Sequence, residues 1–210
     1  MKYTIIETGS KGNCVILEDR IMIDIGVSYK KISPYADLVK VVLLTHIHSD
    51  HFNRSTITKL AKEHPMIKFI CCRHLAADLI DLTGKERIYV LEPNRRYDIG
   101  LCILSPFNLY HDVPNVGWRI EVDGHRCLYA TDTNRLDVSA RNYDLYLVEA
   151  NYDLSEALER IHRKQSEGEF AYEIRAMNNH MSRQQCDEWL MANKGPDSEF
   201  VYMHQHKEDK

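Results

Sequence analysis

The chain has 210 residues and a formal net charge of −4; 44% of its residues are hydrophobic and 28% are charged. This length and balance are typical of one globular domain, so we predict a single domain over residues 1–210. The charge gives no support to a broad basic surface for duplex nucleic acid. It does not exclude a nucleic-acid substrate, because bound divalent metals would add positive charge locally.

In chain order, short apolar and alternating runs predict strands in the first half of the chain. These strands are predicted at residues 2–8, 14–17, 20–25, 40–45, 68–72 and 88–91. Helical periodicity predicts helices at residues 55–64 and 74–82. Residues 40–45 are almost wholly apolar, which favours a strand that is buried on both faces.

The second half of the chain begins with strands and continues with helices. The strands are predicted at residues 101–105, 116–122, 126–131, 145–149 and 200–203. From Leu154 the pattern becomes a long polar helical region, and another helix begins after His180 with Ser182 as its N-cap. Residues 205–210 are predicted to be a tail. This order of elements predicts an α/β sandwich with its helices outside.

The six cysteines are scattered and form no C-x-x-C pair. We interpret them as reduced, buried thiols, which favours a cytoplasmic protein. The longest apolar runs have only the length of a strand, so no membrane segment is predicted. The first nine residues also lack the apolar stretch of a signal peptide.

Four residues of metal-ligand type follow the buried strand directly: His46, His48, Asp50 and His51. Because side chains alternate along a strand, His46 and His48 are expected to point the same way. Asp50 and His51 would then fold back to a second point. Imidazole and carboxylate groups are ligands for Zn²⁺, Mn²⁺ or Fe²⁺. The alternative, a polar turn that is merely rich in histidine, explains none of the four.

This segment resembles the His-x-His-x-Asp-His signature of the metallo-β-lactamase superfamily. The resemblance extends along the chain. Asp24, two residues before Gly26, resembles the family's aspartate at the end of a strand, and further matching positions are His111, Asp132 and His204. The resemblance implies a four-layer αββα metallo-β-lactamase sandwich, with Asp24 as structural support for the ligand loops. Shorter segments resemble the YycJ (WalJ) branch, whose members are associated with DNA exonuclease activity. These segments are residues 9–14, 24–28, 149–153, 180–182 and 204–208.

The resemblance also implies a dinuclear metal centre. Its seven ligands would be His46, His48 and His111 on one metal, Asp50, His51 and His204 on the other, and Asp132 as the bridge. The expected metal is Zn²⁺, and Mn²⁺ or Fe²⁺ are the alternatives. A hydroxide that bridges the two ions would be the nucleophile. His206 is the alternative to His204, which is favoured because it follows a strand immediately.

Two residues are expected to take part in catalysis, Asp50 and His180. In phosphodiesterase branches of the superfamily, a histidine at the start of the penultimate helix faces the phosphate or the leaving group. His180 resembles it, and its imidazolium would stabilise charge or protonate the departing alkoxide. The alternative is a histidine without a role at the start of a helix.

The leading functional hypothesis is therefore a phosphodiesterase acting on DNA, RNA or a nucleotide. Alternatives are a thioesterase or lactonase on the same fold, a di-iron redox protein and a non-catalytic binding module. Ser10 and Asn13 lie in a turn that either approaches the site or only shapes the backbone. The remaining histidines at 64, 74, 125 and 162 are predicted to lie on the surface, and the basic run at 160–164 is either a solvated helix face or a phosphate contact. The oligomeric state is not predicted.

Overall fold

The computed structural model describes residues 1–205. The chain divides into two compact units, Met1–Phe107 and Asn108–Lys210. The single domain expected from the sequence therefore stays a prediction. The alternative ligand His206 and most of the predicted tail lie outside the described residues.

The first sheet has six strands in the same order as the sequence. They are β1 (Tyr3–Glu7), β2 (Cys14–Leu17), β3 (Ile21–Ile23), β4 (Val41–Leu43), β5 (Lys68–Cys72) and β6 (Ile88–Leu91). Strands β1 to β3 are antiparallel, and β3 to β6 are parallel. The carboxyl ends of β3 and β4 therefore lie at the same edge, where Asp24 and residues 45–51 follow them. All six predicted strands are confirmed, with β1, β3 and β4 shorter than expected.

The first unit also carries three helices, α1 (Tyr29–Ile32), α2 (Arg54–Glu63) and α3 (Arg73–Thr83). A short 3₁₀ turn at Lys85–Arg87 precedes β6. Helix α2 begins after Asn53, whose side chain accepts a hydrogen bond from the Thr56 backbone N–H at 3.1 Å. Both long helices were predicted, whereas the four residues of α1 are too few for periodicity to show.

The second sheet also has six strands, in the order β12-β11-β10-β9-β8-β7. They are β7 (Tyr97–Asp98), β8 (Ile103–Leu109), β9 (Asn115–Val122), β10 (His125–Ala130), β11 (Leu145–Glu149) and β12 (Glu199–Met203). Strands β10, β11 and β12 are parallel to one another. Their carboxyl ends share one edge, and this edge brings Asp132, Glu149 and His204 to the same end of the sheet.

Strand β8 runs past the point at which the sequence predicts its end. The predicted strand ended at Ser105, one residue before Pro106, and proline lacks the N–H that a sheet ladder uses. Strand β7 pairs with Ile103 and Leu104 and does not reach Pro106, so this ladder does not require the missing N–H. The two-residue β7 itself is too short to be predicted.

Three helices belong to the second unit, α4 (Leu154–Ser166), α5 (Glu173–Asn179) and α6 (Arg183–Asn193). The long helical region predicted from Leu154 is two helices, because the chain leaves α4 through Gly168 with a φ of +71°. On α4, Arg160 pairs with Glu156, and Lys164 pairs with the buried Glu173, so these two cations are engaged within the protein. Of this basic run, His162 and Arg163 are exposed.

Helix α6 confirms the predicted N-cap. The Ser182 hydroxyl accepts from the Gln185 backbone N–H at 3.2 Å, and the Gln185 side chain accepts from the Ser182 N–H at 2.8 Å. This reciprocal pair satisfies two backbone donors that the first turn of a helix leaves without a partner.

The cores of the two units contain the cysteines. All six are free and buried, as predicted. Burial raises the pKa of Cys71, Cys72, Cys102 and Cys186 to about 12, so these thiols stay protonated at neutral pH. Within residues 1–205, no helix has both the length and the apolar content that a membrane crossing requires.

Candidate metal centre

In the first unit, the loop after β4 gathers three imidazole rings. The His46 ring lies 4.9 Å from the His48 ring and 4.2 Å from the His51 ring, measured between centroids. The loop turns back on itself because the backbone N–H of His51 and that of Phe52 both donate to the His48 carbonyl. His46 and His51 are buried, while His48 and Asp50 are partly exposed. The four candidates of this loop therefore lie close together, and their roles as ligands stay a prediction.

Asp24 fixes the orientation of His51. Its carboxylate is buried at the end of β3 and lies 2.7 Å from His51 Nδ1. The same carboxylate accepts from the Thr45 backbone N–H at 2.9 Å and from the Thr45 hydroxyl. A carboxylate on Nδ1 favours the tautomer that leaves the Nε2 lone pair available to a metal. The supporting role expected for Asp24 agrees with these contacts.

Asn13 is the residue of the β1–β2 turn that reaches the ligand loop. Its backbone N–H donates to the Asp50 carbonyl at 2.6 Å, and its side-chain nitrogen lies 2.7 Å from His51 Nε2. The side-chain oxygen accepts from the Gly9 N–H at 2.9 Å, so Asn13 also shapes its own turn. Ser10 is exposed. Asn13 therefore both approaches the candidate site and shapes the backbone of its turn.

Gly26 is the place where two backbones touch in this loop. A Cβ added there would lie 1.6 Å from the Asp50 carbonyl oxygen and 2.7 Å from the His51 nitrogen. Its own N–H donates to the Asn13 carbonyl at 2.9 Å. Only glycine allows this approach, so the position of the ligand loop depends on it.

His74 was predicted to lie on the surface, and this prediction is wrong. The side chain is half-buried at the start of α3, and its Nε2 lies 2.9 Å from the Thr45 carbonyl oxygen. Burial lowers the pKa of His74, which favours the neutral ring that donates from Nε2. His74 therefore supports the residue that precedes His46. Of the other three, His125 and His162 are exposed as predicted, but His64 is partly buried against Tyr29.

In the second unit, four side chains converge at the carboxyl ends of the parallel strands. One potential ligand atom from each of Asp132, Glu149, His180 and His204 lies within 4.8 Å of the others. His204 Nδ1 is 3.4 Å from Asp132 Oδ1 and 3.1 Å from Glu149 Oε1. This arrangement of two carboxylates and two imidazoles is a donor set that suits a divalent transition metal.

Sequence reasoning missed Glu149 as a functional residue. It is fully buried, and its Oε1 lies 2.6 Å from His180 Nδ1 while its Oε2 accepts from the Thr133 N–H at 2.6 Å. A carboxylate at the end of an otherwise apolar strand was the available signal, because buried charged groups require specific partners. Glu149 thus holds His180 and His204 at once.

His111 follows β8 and lies beside the same group. Its Nε2 is 3.8 Å from Asp132 Oδ1, and its ring centroid is 5.4 Å from that of His180. Burial lowers the pKa of His111, although Asp132 and Asp112 oppose this effect. A neutral imidazole is the form that binds a metal.

Two candidate ligands have strained backbones. The φ angle is +58° at Asp132 and +52° at His204, in the left-handed region that side chains other than glycine rarely adopt. Asp24 has the same strain, with a φ of +58°. Such conformations cost on the order of 1–3 kcal/mol each and are concentrated at functional sites. Five other non-glycine residues of the described chain share this conformation, so the strain alone does not distinguish the site: Glu18, Asp19, Asn94, Asp123 and Asn142.

Comparison with known proteins gives one family match. A family model described as the beta-lactamase superfamily domain matches residues 20–190. A search of curated proteins finds no match.

Several solved structures have a similar fold. The metallo-beta-lactamase fold protein YhfI from Bacillus subtilis has a TM-score of 0.73 and 18% identity, covering 97% of this chain and 85% of that one. The short form of human tRNase Z has a TM-score of 0.72 and 15% identity, covering 99% and 93%. Zn²⁺-bound PqqB from Methylobacterium extorquens has a TM-score of 0.62 and 13% identity, covering 98% and 89%. These likenesses, with both sheets and the helices, confirm the fold class predicted from the sequence.

Proposed function

Because the chain belongs to the β-lactamase superfamily, we propose that it is a two-metal hydrolase that cleaves phosphodiester bonds of a nucleic acid or a nucleotide. The metallo-β-lactamase fold and the cluster of histidine and carboxylate groups are consistent with a metal-dependent hydrolase. The resemblance to the YycJ branch supports an exonuclease-like activity on DNA or RNA. The similar fold of tRNase Z supports the same substrate class.

The proposed ligands are the seven residues expected from the sequence: His46, His48, Asp50, His51, His111, Asp132 and His204. One support is that the Asp24 carboxylate on His51 Nδ1 favours a lone pair on Nε2, which Asn13 Nδ2 approaches at 2.7 Å. The other is that Asp132 and His204 belong to one cluster of potential ligand atoms, together with Glu149 and His180. Zn²⁺ is the proposed metal because imidazole ligands predominate and PqqB, which has a similar fold, is Zn²⁺-bound. When bound, two such ions would act as Lewis acids that lower the pKa of bound water to about 7.

Among the protein groups, His180 is the proposed general acid. The single observation that carries this role is the 2.6 Å contact between His180 Nδ1 and the buried Glu149 carboxylate. Glu149 stabilises the imidazolium and orients the ring, so that Nε2–H is available to protonate the departing alkoxide oxygen. The His180 side chain is 17% exposed whereas Glu149 is fully buried, so His180 is the member of this pair that can meet a substrate.

Asp50 is proposed to act both as a ligand and as the carboxylate that accepts a proton from the attacking water. Its Oδ2 lies 3.7 Å from His51 Nε2, and its side chain is 23% exposed. A partly exposed carboxylate among buried imidazoles suits this proton transfer, because solvent can take the proton away afterwards.

The test is a metal analysis combined with the kinetics of His180→Ala. We expect two equivalents of divalent metal per chain, and hydrolysis of both bis-p-nitrophenyl phosphate and an oligonucleotide. The variant is expected to keep both metals and to lose ~10²–10⁴ in kcat on the oligonucleotide. The loss should be smaller on the nitrophenyl ester, because a good leaving group needs little protonation.

His162→Ala is the matched control, since His162 is exposed on α4. Loss of a metal in His180→Ala would make His180 a ligand instead of an acid. Turnover of a thioester without turnover of either phosphodiester would overturn the proposed substrate class.

A further inference from the structure

An aromatic ring and a guanidinium form an exposed pair in the second unit, next to the proposed ligands. The guanidinium carbon of Arg135 lies 3.7 Å from the centroid of the Tyr110 ring, which is a close cation–π contact. Tyr110 is 38% exposed, and the Arg135 side chain is 55% exposed. The pair therefore presents a flat guanidinium and an aromatic ring to solvent.

Hydrogen bonds hold this pair in place from both loops. The Tyr110 N–H donates to the Thr133 hydroxyl at 3.0 Å, and the Asn134 N–H donates to the Tyr110 carbonyl at 3.0 Å. The Thr133 hydroxyl in turn donates to the Arg135 carbonyl at 2.8 Å. Tyr110 directly precedes His111, and Arg135 is three residues after Asp132. The pair is thus fixed to the same two loops that carry these candidate ligands.

Asp137 completes the arrangement at the surface. The Arg135 Nε donates to the Asp137 carboxylate at 3.0 Å. A hydrogen bond from the Tyr110 side chain and the one from Arg135 hold the pKa of Asp137 below its usual range. These bonds fix the plane of the guanidinium at the cost of side-chain freedom, so little further ordering is needed when a ligand binds.

The chemistry of such a surface is specific. A planar guanidinium stacks on nucleobases, and aromatic platforms bind the bases of single strands with little regard to sequence. A simple aliphatic phosphodiester has no flat group that could stack on this surface. Because the pair belongs to the loops that carry His111 and Asp132, a base stacked on it would lie on the same loops as these candidate ligands.

We propose that the Arg135–Tyr110 pair stacks a nucleobase of the substrate, so that the enzyme acts on nucleoside phosphodiesters in preference to others. This inference rests on the proposed phosphodiesterase activity. Arg135 is then a substrate-binding residue, and Tyr110 and Asp137 position it.

The chain offers a matched control in a second arginine–tyrosine pair. The Arg126 guanidinium lies 4.9 Å from the Tyr143 ring centroid. Arg126 is near the start of β10 (His125–Ala130), whereas Asp132 follows the end of this strand. At about 3.3 Å per residue, the strand separates the two places by roughly 20 Å. Arg126→Ala therefore removes the same kind of contact far from Asp132.

The experiment compares two substrates with one leaving group, thymidine 5′-(p-nitrophenyl phosphate) and methyl p-nitrophenyl phosphate. The wild-type protein is expected to prefer the thymidine ester in kcat/KM by roughly 5- to 150-fold, the range for one stacked base. Arg135→Ala should lose most of this preference because KM rises far more for the thymidine ester than for the methyl ester, with unchanged metal content. Arg135→Lys keeps the charge but not the plane, so it should lose most of the preference too.

A binding measurement gives a readout that does not depend on turnover. Calorimetric titration with thymidine 5′-monophosphate should show a Kd that is higher for Arg135→Ala and unchanged for Arg126→Ala. Equal preference in the wild type and Arg135→Ala, with both esters hydrolysed, would overturn the inference and leave the phosphodiesterase proposal intact. Hydrolysis of neither ester would overturn both. Full retention of the preference in Arg135→Lys would show that charge alone is recognised and would overturn base stacking.

Discussion

Replacing Gly26 by alanine perturbs the ligand loop without changing any proposed ligand. The added Cβ would lie 1.6 Å from the Asp50 carbonyl oxygen. Ordinary contact is about 3.5 Å, so the two backbones must move apart by roughly 2 Å. This movement strains the bonds from Asn13 N to Asp50 O at 2.6 Å and from Ile25 N to His51 O at 2.9 Å.

The energetic cost follows from these contacts. Overpacking in a dense interior typically costs about 1–3 kcal/mol, and each weakened backbone hydrogen bond adds about 1 kcal/mol. We therefore expect a loss of about 3–5 kcal/mol in the free energy of unfolding, which is below the total stability of a typical domain at about 5–15 kcal/mol. The variant should still fold, but with Asp50 and His51 displaced and less than two equivalents of metal.

Urea unfolding and elemental analysis test this expectation, with Gly124→Ala as the control. A Cβ at Gly124 meets nothing within 4 Å, but the φ of +81° is strained for alanine. The control should lose about 1–2 kcal/mol and keep its metal. If Gly26→Ala lost no more stability than Gly124→Ala and bound metal fully, the backbone contact would not determine the position of the loop.

Two further predictions concern the scaffold. Burial raises the pKa of Cys71 and Cys186 to about 12. Ellman's reagent should therefore find no fast-reacting thiol in the native protein and six thiols after unfolding in urea. Fast labelling of the native protein would contradict the burial of the cysteines. Ser182→Ala removes the cap of α6, so the free energy of unfolding measured in urea should fall by about 1 kcal/mol. Ser155→Ala on α4 is the control and should cost less, because Asp153 is the cap of that helix. Equal losses in the two variants would contradict the capping role of Ser182.

Much of the fold follows from short-range patterns. Four strands have the predicted bounds, because apolar runs there are limited by polar residues at both ends: 14–17, 68–72, 88–91 and 145–149. The division between α4 and α5 was missed because a single glycine in a polar helical pattern is weak evidence for a break. Elements of two to four residues leave no periodicity to detect.

The candidate site was predictable to the extent that its residues follow strands. The cluster at 46–51 is compact in the sequence, so local spacing was sufficient. Glu149 and His74 were missed because their partners, His180 and Thr45, are about 30 residues away in the chain and only the fold brings them together. The contact between Arg135 and Tyr110 was not predicted for the same reason, because no pattern in either sequence segment indicates the other.

The burial of Asp24 limits how this site can change in evolution. Its carboxylate has no exposed surface and receives hydrogen bonds from Thr45 and His51. A descendant that no longer needed the metal and replaced His51 by an apolar residue would take one hydrogen-bond donor from this buried carboxylate, at a cost of about 1.5–3 kcal/mol. Drift away from activity is therefore opposed by the stability of the protein itself, unless Asp24 is replaced in the same lineage. A relative with an altered His51 is expected to have an uncharged residue at the position of Asp24.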